Sequence, residues 1–341
     1  MVLMGNNAGG TAVASLLRMP VHSGCLRFVS AFSISCITLY ALIFLLSEPL
    51  MLINEHTAQT LGNVLYVIGI PVSVAGDLVS GKGFAVRIIP ECTALLMAGL
   101  FACFVLFYPA TARQKAAGLA MGLPALYLGN LARLTAIFFV CTYDKRLFNI
   151  IHTLLGQVFT VTFVLVMCIL WLKSIATGRS SKDTIIRISG YLARLVVIAG
   201  CLFLLWIEVN DDYIRFVDQF LVLGFSLFDY RLVIPRDTVI YYETFNIVTF
   251  TALLLATRSV AWSKKVNGLA AGLTLFFSIH LFHRFNNTLM SAFQYTAFIK
   301  LDYVLCAVGQ YLLPALLWFL ITIGRLPHLK KPKVYNIKLE T

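Results

Sequence analysis

The chain reads as a succession of long apolar stretches separated by short polar ones. Hydrophobic runs cover residues 28–47, 91–110, 117–140, 153–172, 189–208, 244–262, 266–283 and 303–324, each near the roughly 20 helical residues that a ~30 Å hydrocarbon layer demands. None shows the period-two alternation of a barrel strand, and backbone amides facing lipid must be satisfied within their own segment, so the pattern predicts helices. The expected fold class is all-α, a polytopic transmembrane bundle of about eight helices. One stretch breaks the pattern. Gly69, Ile70, Pro71 and Val72, followed by Gly76, Gly81 and Gly83, are too rich in glycine and proline for a continuous helix and predict an outer re-entrant or extended flap, with an ordinary loop as the alternative.

A polar connector from Thr177 to Arg187 divides the runs into two sets of four. Landmarks then recur about 150 residues apart. The stretch Lys115 to Leu123, with Gly118 and Gly122, matches Lys265 to Leu273, with Gly268 and Gly272; Glu91 corresponds to Glu243, Arg133 to Arg284 and Gln157 to Gln310. Two halves are expected, residues 1–178 and 179–341, the second a degenerate repeat in which Thr244 replaces Cys92 and His152 falls near Asp302 and Tyr303. Unrelated four-helix membrane segments that share leucine, glycine and basic connectors are the competing explanation.

Composition narrows the class. Of 341 residues 60% are hydrophobic and 12% charged, which excludes a soluble domain with an ordinary polar surface. A net charge of +12 would suit nucleic acid, but the bases flank apolar runs and form no basic domain, so no nucleic-acid partner is expected. Bases such as Arg18, Arg113, Lys115, Lys173, Arg179, Arg258, Lys264 and Lys331 crowd one set of connectors, while Glu55, Asp77, Asp144, Asp211 and Asp212 lie on the other. The positive-inside rule then places both termini in the cytoplasm of a bacterial-type inner membrane. The first run follows Arg18 and Arg27 as a signal sequence would, yet it is long and Ser47-Glu48-Pro49 offers no small-x-small cleavage site, so it should remain an anchor.

Cysteines 25, 36, 92, 103, 141, 168, 201 and 306 are scattered without a C-x-x-C pair or a Cys/His cluster at ligand spacing, so neither disulfides, nor a metal, nor a cofactor is indicated. Ionisable groups in or beside spans are functional candidates. Cys92 follows Glu91 at the start of the second run, Arg133 follows Asn130 by one turn in the third, and His152 opens the fourth. Counted outward from Gly118 at 1.5 Å per residue, Arg133 lies about 22 Å along its helix, at the depth of the other two. A cation lowers a thiol pKa and an imidazole shuttles the proton to a leaving amine. Taken singly, Cys92 also suits helix packing, Arg133 suits snorkelling or a tie to Glu91, and His152 suits an interfacial cap. In the second half His280 and His283 share a helix face at metal-ligand spacing, without a third ligand evident. Asn210, Asp211, Asp212 and Tyr213, with Asp218, Asp229 and Asp237, are expected to form a solvated cap.

Over about residues 57–173 the chain resembles the exosortase/archaeosortase membrane enzymes. The resemblance rests on Leu65 to Val72 with Gly76, on Glu91-Cys92-Thr93-Ala94, on Asn130-x-x-Arg133 and on His152. Thr93-Ala94 departs from the small residue and glycine usual after the cysteine. The resemblance implies a cysteine protease or transpeptidase acting at the outer face on exported proteins that end in a sorting motif, a transmembrane helix and a basic tail. Cys92 would be the nucleophile, Arg133 the stabiliser of thiolate or oxyanion, His152 the general acid and base, Asn130 an orienting group, and Glu91 a support for Arg133 or His152. A lipid or glycan amine or hydroxyl would accept the acyl group. The alternatives are a non-enzymatic transporter or polysaccharide-export assembly protein, since parallel repeats suit transporters, and a lipid-linked acyl- or glycosyltransferase relying on His152 or His283.

Overall fold

The computed structural model describes residues 23–45, 50–81, 83–177, 182–227, 229, 234, 241–293 and 295–322. Helices α1 (Ser23–Leu45) and α2 (Met51–Val67) precede a three-stranded antiparallel sheet of β1 (Ser73–Ala75), β2 (Leu78–Gly81) and β3 (Phe84–Arg87). The first half continues with α3 (Leu95–Phe107), α4 (Ala112–Tyr143), α5 (Phe148–Thr153) and α6 (Thr160–Thr177). The second contains α7 (Lys182–Ser226), α8 (Asn246–Ala256), α9 (Trp262–Phe293), α10 (Thr296–Ala307) and α11 (Leu313–Thr322). A π-helical segment joins α5 to α6 (Leu154–Phe159) and another joins α10 to α11 (Val308–Leu312).

The chain is an all-α membrane helix bundle. Among the described residues five helices are long and apolar enough to cross a membrane, and shorter apolar helices occupy Arg27–Ile43, Leu95–Phe107 and Tyr242–Ala256. Among the described residues each of the eight apolar runs therefore lies mainly on helix. Two of them open in a 3-10 turn and two contain a π-helical segment. Pro90 opens a 3-10 turn, Pro90–Cys92, ahead of α3, and a second 3-10 turn, Tyr242–Phe245, precedes α8. The connector that separates the halves falls partly on residues 178–181, outside the described residues, as do the basic tail beyond Thr322 and Asp237.

The glycine- and proline-rich stretch is the sheet rather than a loop. Helix α2 ends where Ile70 N–H donates to Leu65 O (2.8 Å) and Gly69 N–H to Tyr66 O (3.0 Å). Gly69 takes φ +82°, the left-handed geometry that closes a helix in this way. Ala75 pairs with Leu78 around a two-residue turn that Gly76 enters at φ +59°, the positive φ that such tight hairpins require. Val79 points inward from β2 into a cluster with Leu61 and Leu65 of α2, Ile88, Cys92 and Phe138. The sheet is thereby pinned to the bundle over the start of α3.

The same contacts recur in both halves. Helices α4 and α9 each contain 32 residues. Lys115 Nζ donates to Leu106 O, and Lys265 Nζ to Leu255 O (3.0 Å). A Cβ on Gly122 would meet Phe101 Cε1 at 2.2 Å, and one on Gly272 would meet Phe250 Cε1 at 2.3 Å. Both glycines thus let an aromatic ring of the preceding helix lie against backbone. The main core is common to the halves: Phe32 of α1, Phe104 of α3 and Trp171 of α6 are buried in one cluster with Leu195 of α7, Ala252 of α8 and Trp318 of α11.

The expected solvated cap is interior at two of its residues, while Asp212 is exposed and Asp211 and Tyr213 are half-buried. Helix α7 runs on past residue 208 to Ser226, and Asn210 and Asp218 are buried along it. Asn210 Nδ2 donates to Thr244 Oγ1 (2.6 Å) and its Oδ1 accepts from Tyr241 N–H (2.7 Å), while Asp218 takes both hydrogen bonds of the Arg284 fork at 2.8 and 3.0 Å. A buried guanidinium requires such a partner, which sequence order alone did not assign. Asp229 is exposed, as expected.

Candidate active site

Cys92 closes the Pro90–Cys92 turn, and the residue after it fixes the turn's exit. Thr93 Oγ1 donates to Pro90 O (2.7 Å) and accepts from Leu95 N–H (3.2 Å), so one hydroxyl ties the turn to the first residue of α3. The threonine that departs from the family pattern therefore has a local structural task. The Cys92 side chain is 3% exposed, enclosed by Leu61, Val79, Ile88, Leu131 and Phe138.

Helix α4 brings two buried polar residues to that turn. Its first turn is fixed by a capping box: Thr111 Oγ1 accepts from Gln114 N–H (3.3 Å) and Gln114 Oε1 accepts from Thr111 N–H (3.0 Å). Asn130 and Arg133, one turn apart, are 1% and 4% exposed. Asn130 Nδ2 donates to Cys92 O at 2.9 Å. Arg133 Nη2 reaches Glu91 O and Cys92 O, each at 3.4 Å, and Nη1 donates to Thr160 Oγ1 at 3.0 Å. Arg133 Nε and Asn130 Oδ1 are buried without a hydrogen-bond partner. Arg133 contacts Glu91 through the backbone carbonyl, and no ion pair joins their side chains among the described residues. Arg133 is a buried donor against the turn rather than a snorkelling cation.

His152 is positioned from the other side. Asp144 Oδ1 accepts from Arg146 N–H (2.9 Å) and Nε (3.1 Å), which organises the turn leading into α5. Arg146 beside Asp144 holds its carboxyl below the usual carboxylate range. The His152 ring stacks on Phe148 with centroids 5.1 Å apart, and Phe148 in turn meets Phe84 of β3 at 5.6 Å. The sheet therefore covers Cys92 through Val79 and reaches the His152 side through Phe84. No hydrogen bond joins thiol to imidazole among the described residues. A substrate carbonyl would have to enter between them, under the sheet.

Sequence reasoning missed Thr160 of the fourth span and the packing of the second half around the first. Thr160 carries no chemical signature and is recognised only as the acceptor for Arg133. Tyr311 of the second half is buried in one cluster with Leu96 and Leu126 of the first. Spacing along the chain cannot reveal proximity across more than 150 residues.

A family model described as transmembrane exosortase matches residues 2–172. No curated protein and no solved structure matches the chain.

Proposed function

Because the chain belongs to the transmembrane exosortase family, we propose that it is a cysteine protease or transpeptidase that processes the C-terminal sorting signals of exported proteins. The observation that carries this reading is the buried junction at the Pro90–Cys92 turn, where one guanidinium reaches both carbonyls next to the thiol. The substrate class is an exported protein ending in a short motif, a transmembrane helix and a basic tail. The helix would lie in the bilayer and bring the scissile peptide to the site.

In the reaction His152 takes the proton of the Cys92 thiol, and the resulting thiolate Sγ attacks the peptide carbonyl carbon. The negative charge on the former carbonyl oxygen faces the Arg133 guanidinium, whose Nε has no protein partner. This is the kind of pre-positioned donor that stabilises a developing oxyanion. The C–N bond then breaks, the imidazolium returns its proton to the leaving amine, and the C-terminal helix departs. The acyl group remains on Cys92 as a thioester until water, or a lipid or glycan amine or hydroxyl, attacks it. Asn130 holds the Cys92 carbonyl and is a positioning residue. Both termini are assigned to the cytoplasm of the inner membrane and the site to its opposite face.

The test is processing of a tailed substrate in cells expressing wild-type protein, Cys92→Ala or Cys92→Ser at matched membrane levels. Both variants should lose processing by roughly a thousandfold or more, as nucleophile removal does elsewhere. Full processing in the alanine variant would refute the thiol mechanism.

A further inference from the structure

The second half repeats the placement of the site with different chemistry. Glu91 is the second residue of the 3-10 turn before α3, and Glu243 is the second residue of the turn before α8. Counted from Ala112 and Trp262, Arg133 and His283 hold the same position in their 32-residue helices. His152 lies two residues before the π segment at Leu154, and Cys306 two before the π segment at Val308. The structural counterpart of Arg133 is thus His283, one residue from the Arg284 that sequence alignment suggests, and that of His152 is Cys306. A cationic, proton-shuttling pair is replaced by two soft ligands, with the glutamate kept.

These residues meet. One ligand atom each from Glu243, His283 and Cys306 lies within 4.8 Å of the other two. His283 Nε2 is 3.2 Å from Cys306 Sγ and 3.0 Å from Asp302 Oδ1. Donor separations of about 3–4 Å are the edges of a tetrahedron whose centre holds a metal at about 2.0–2.3 Å from each ligand. The second ring nitrogen supports this arrangement independently. Asn287 Nδ2 lies 3.3 Å from His283 Nδ1, while Asn287 Oδ1 is buried without a partner. With that amide turned over, Oδ1 accepts from Nδ1–H and the Nε2 lone pair is left toward Cys306 Sγ. A metal-bound histidine is oriented in this way. Asn286 Nδ2, 3.3 Å from Asp302 Oδ1, holds the flanking carboxylate in place. The nearby Arg284 fork is already engaged by Asp218.

His280 takes no part. Its ring lies against Tyr213 Oη (2.7 Å) and Asn246 Oδ1 (3.1 Å), so the histidine pair suggested by sequence spacing is not the ligand set.

We propose that Glu243, His283 and Cys306 bind one zinc-type divalent ion, with the fourth position beside Asp302 left for water. Imidazole, thiolate and carboxylate together suit zinc over the all-oxygen ions calcium and magnesium. The ion would fasten the Tyr242–Phe245 turn to α9 and α10.

The test is made on the full chain purified in detergent, stripped with chelator and reconstituted with Zn²⁺ or Co²⁺. Wild-type protein is expected to retain about one Zn²⁺ per chain after desalting, and the cobalt form to show thiolate-to-metal charge-transfer absorption. Cys306→Ser should abolish that absorption, and His283→Gln should lower retained zinc at least about fivefold, as loss of a ligand demands. Cys201→Ser, at an exposed thiol, should change neither. Monodisperse wild-type protein that retains no zinc would overturn the proposal, as would cobalt absorption that survives Cys306→Ser. Cys306 alkylated equally fast with and without Zn²⁺ would also overturn it and would point to a thiol–imidazole pair instead.

Discussion

At Arg133 a single guanidinium serves the carbonyls of Glu91 and Cys92 and the hydroxyl of Thr160. Lysine would keep the charge but not the fork that spans those acceptors. Arg133→Lys is therefore expected to lower processing by roughly 10²–10³-fold, the scale of losing one oxyanion donor, at near-normal protein level. Equal activity in the lysine variant would reduce the role of Arg133 to charge alone. Asn130→Ala removes a 2.9 Å hydrogen bond to the Cys92 carbonyl and should destabilise the fold by about 1–3 kcal/mol, read as a lower melting temperature together with a lower turnover number. The cysteine, arginine and histidine were legible in the sequence because ionisable groups are conspicuous among apolar runs. Thr160 was not, since a hydroxyl in a membrane helix is unremarkable until the structure places it against Arg133.

At the scale of elements, the packing of α3 on α4 depends on the absence of a side chain at Gly122. A methyl there would sit 2.2 Å from Phe101, whose ring is fully buried. Gly122→Ala should cost about 1–3 kcal/mol through overpacking, and Gly272→Ala against Phe250 should cost the same, both measured by thermal melting in detergent. Gly200, with nothing near its added Cβ, is the control and should tolerate alanine. The helices themselves follow from hydropathy. Helix α2 did not stand out because Thr57, Gln59, Thr60 and Asn63 lower its apolar content, although Ala58, Leu61 and Leu65 keep helical spacing. The flap's extended character was readable from Gly76 and Pro71, but strand pairing depends on register, which no local signal set.

For the whole molecule, the division at residues 178–179 marks a boundary in the sequence but not in the core. Phe32, Phe104 and Trp171 share one buried cluster with Ala252, Tyr311 and Trp318. Residues 1–178 expressed alone are expected to be unstable in the membrane, and coexpression of residues 179–341 should restore both their level and their activity. Stable, active accumulation of the first half alone, read by immunoblot and substrate processing, would contradict that expectation. The sequence displayed the recurrence of landmarks and suggested a degenerate second half. The shared core arises only when the apolar runs pack in three dimensions.

The cover over Cys92 also bears on inhibition. A thiol 3% exposed beneath Val79 and the sheet is poorly placed to meet a small electrophile or an oxidant, since reactivity follows exposure as well as thiolate character. Generic maleimides should therefore leave the resting protein active while they consume the exposed Cys201. An effective covalent inhibitor would need to carry its warhead on a peptide and membrane anchor that displace the sheet. The same shielding would let the protein persist unmodified until a substrate arrives.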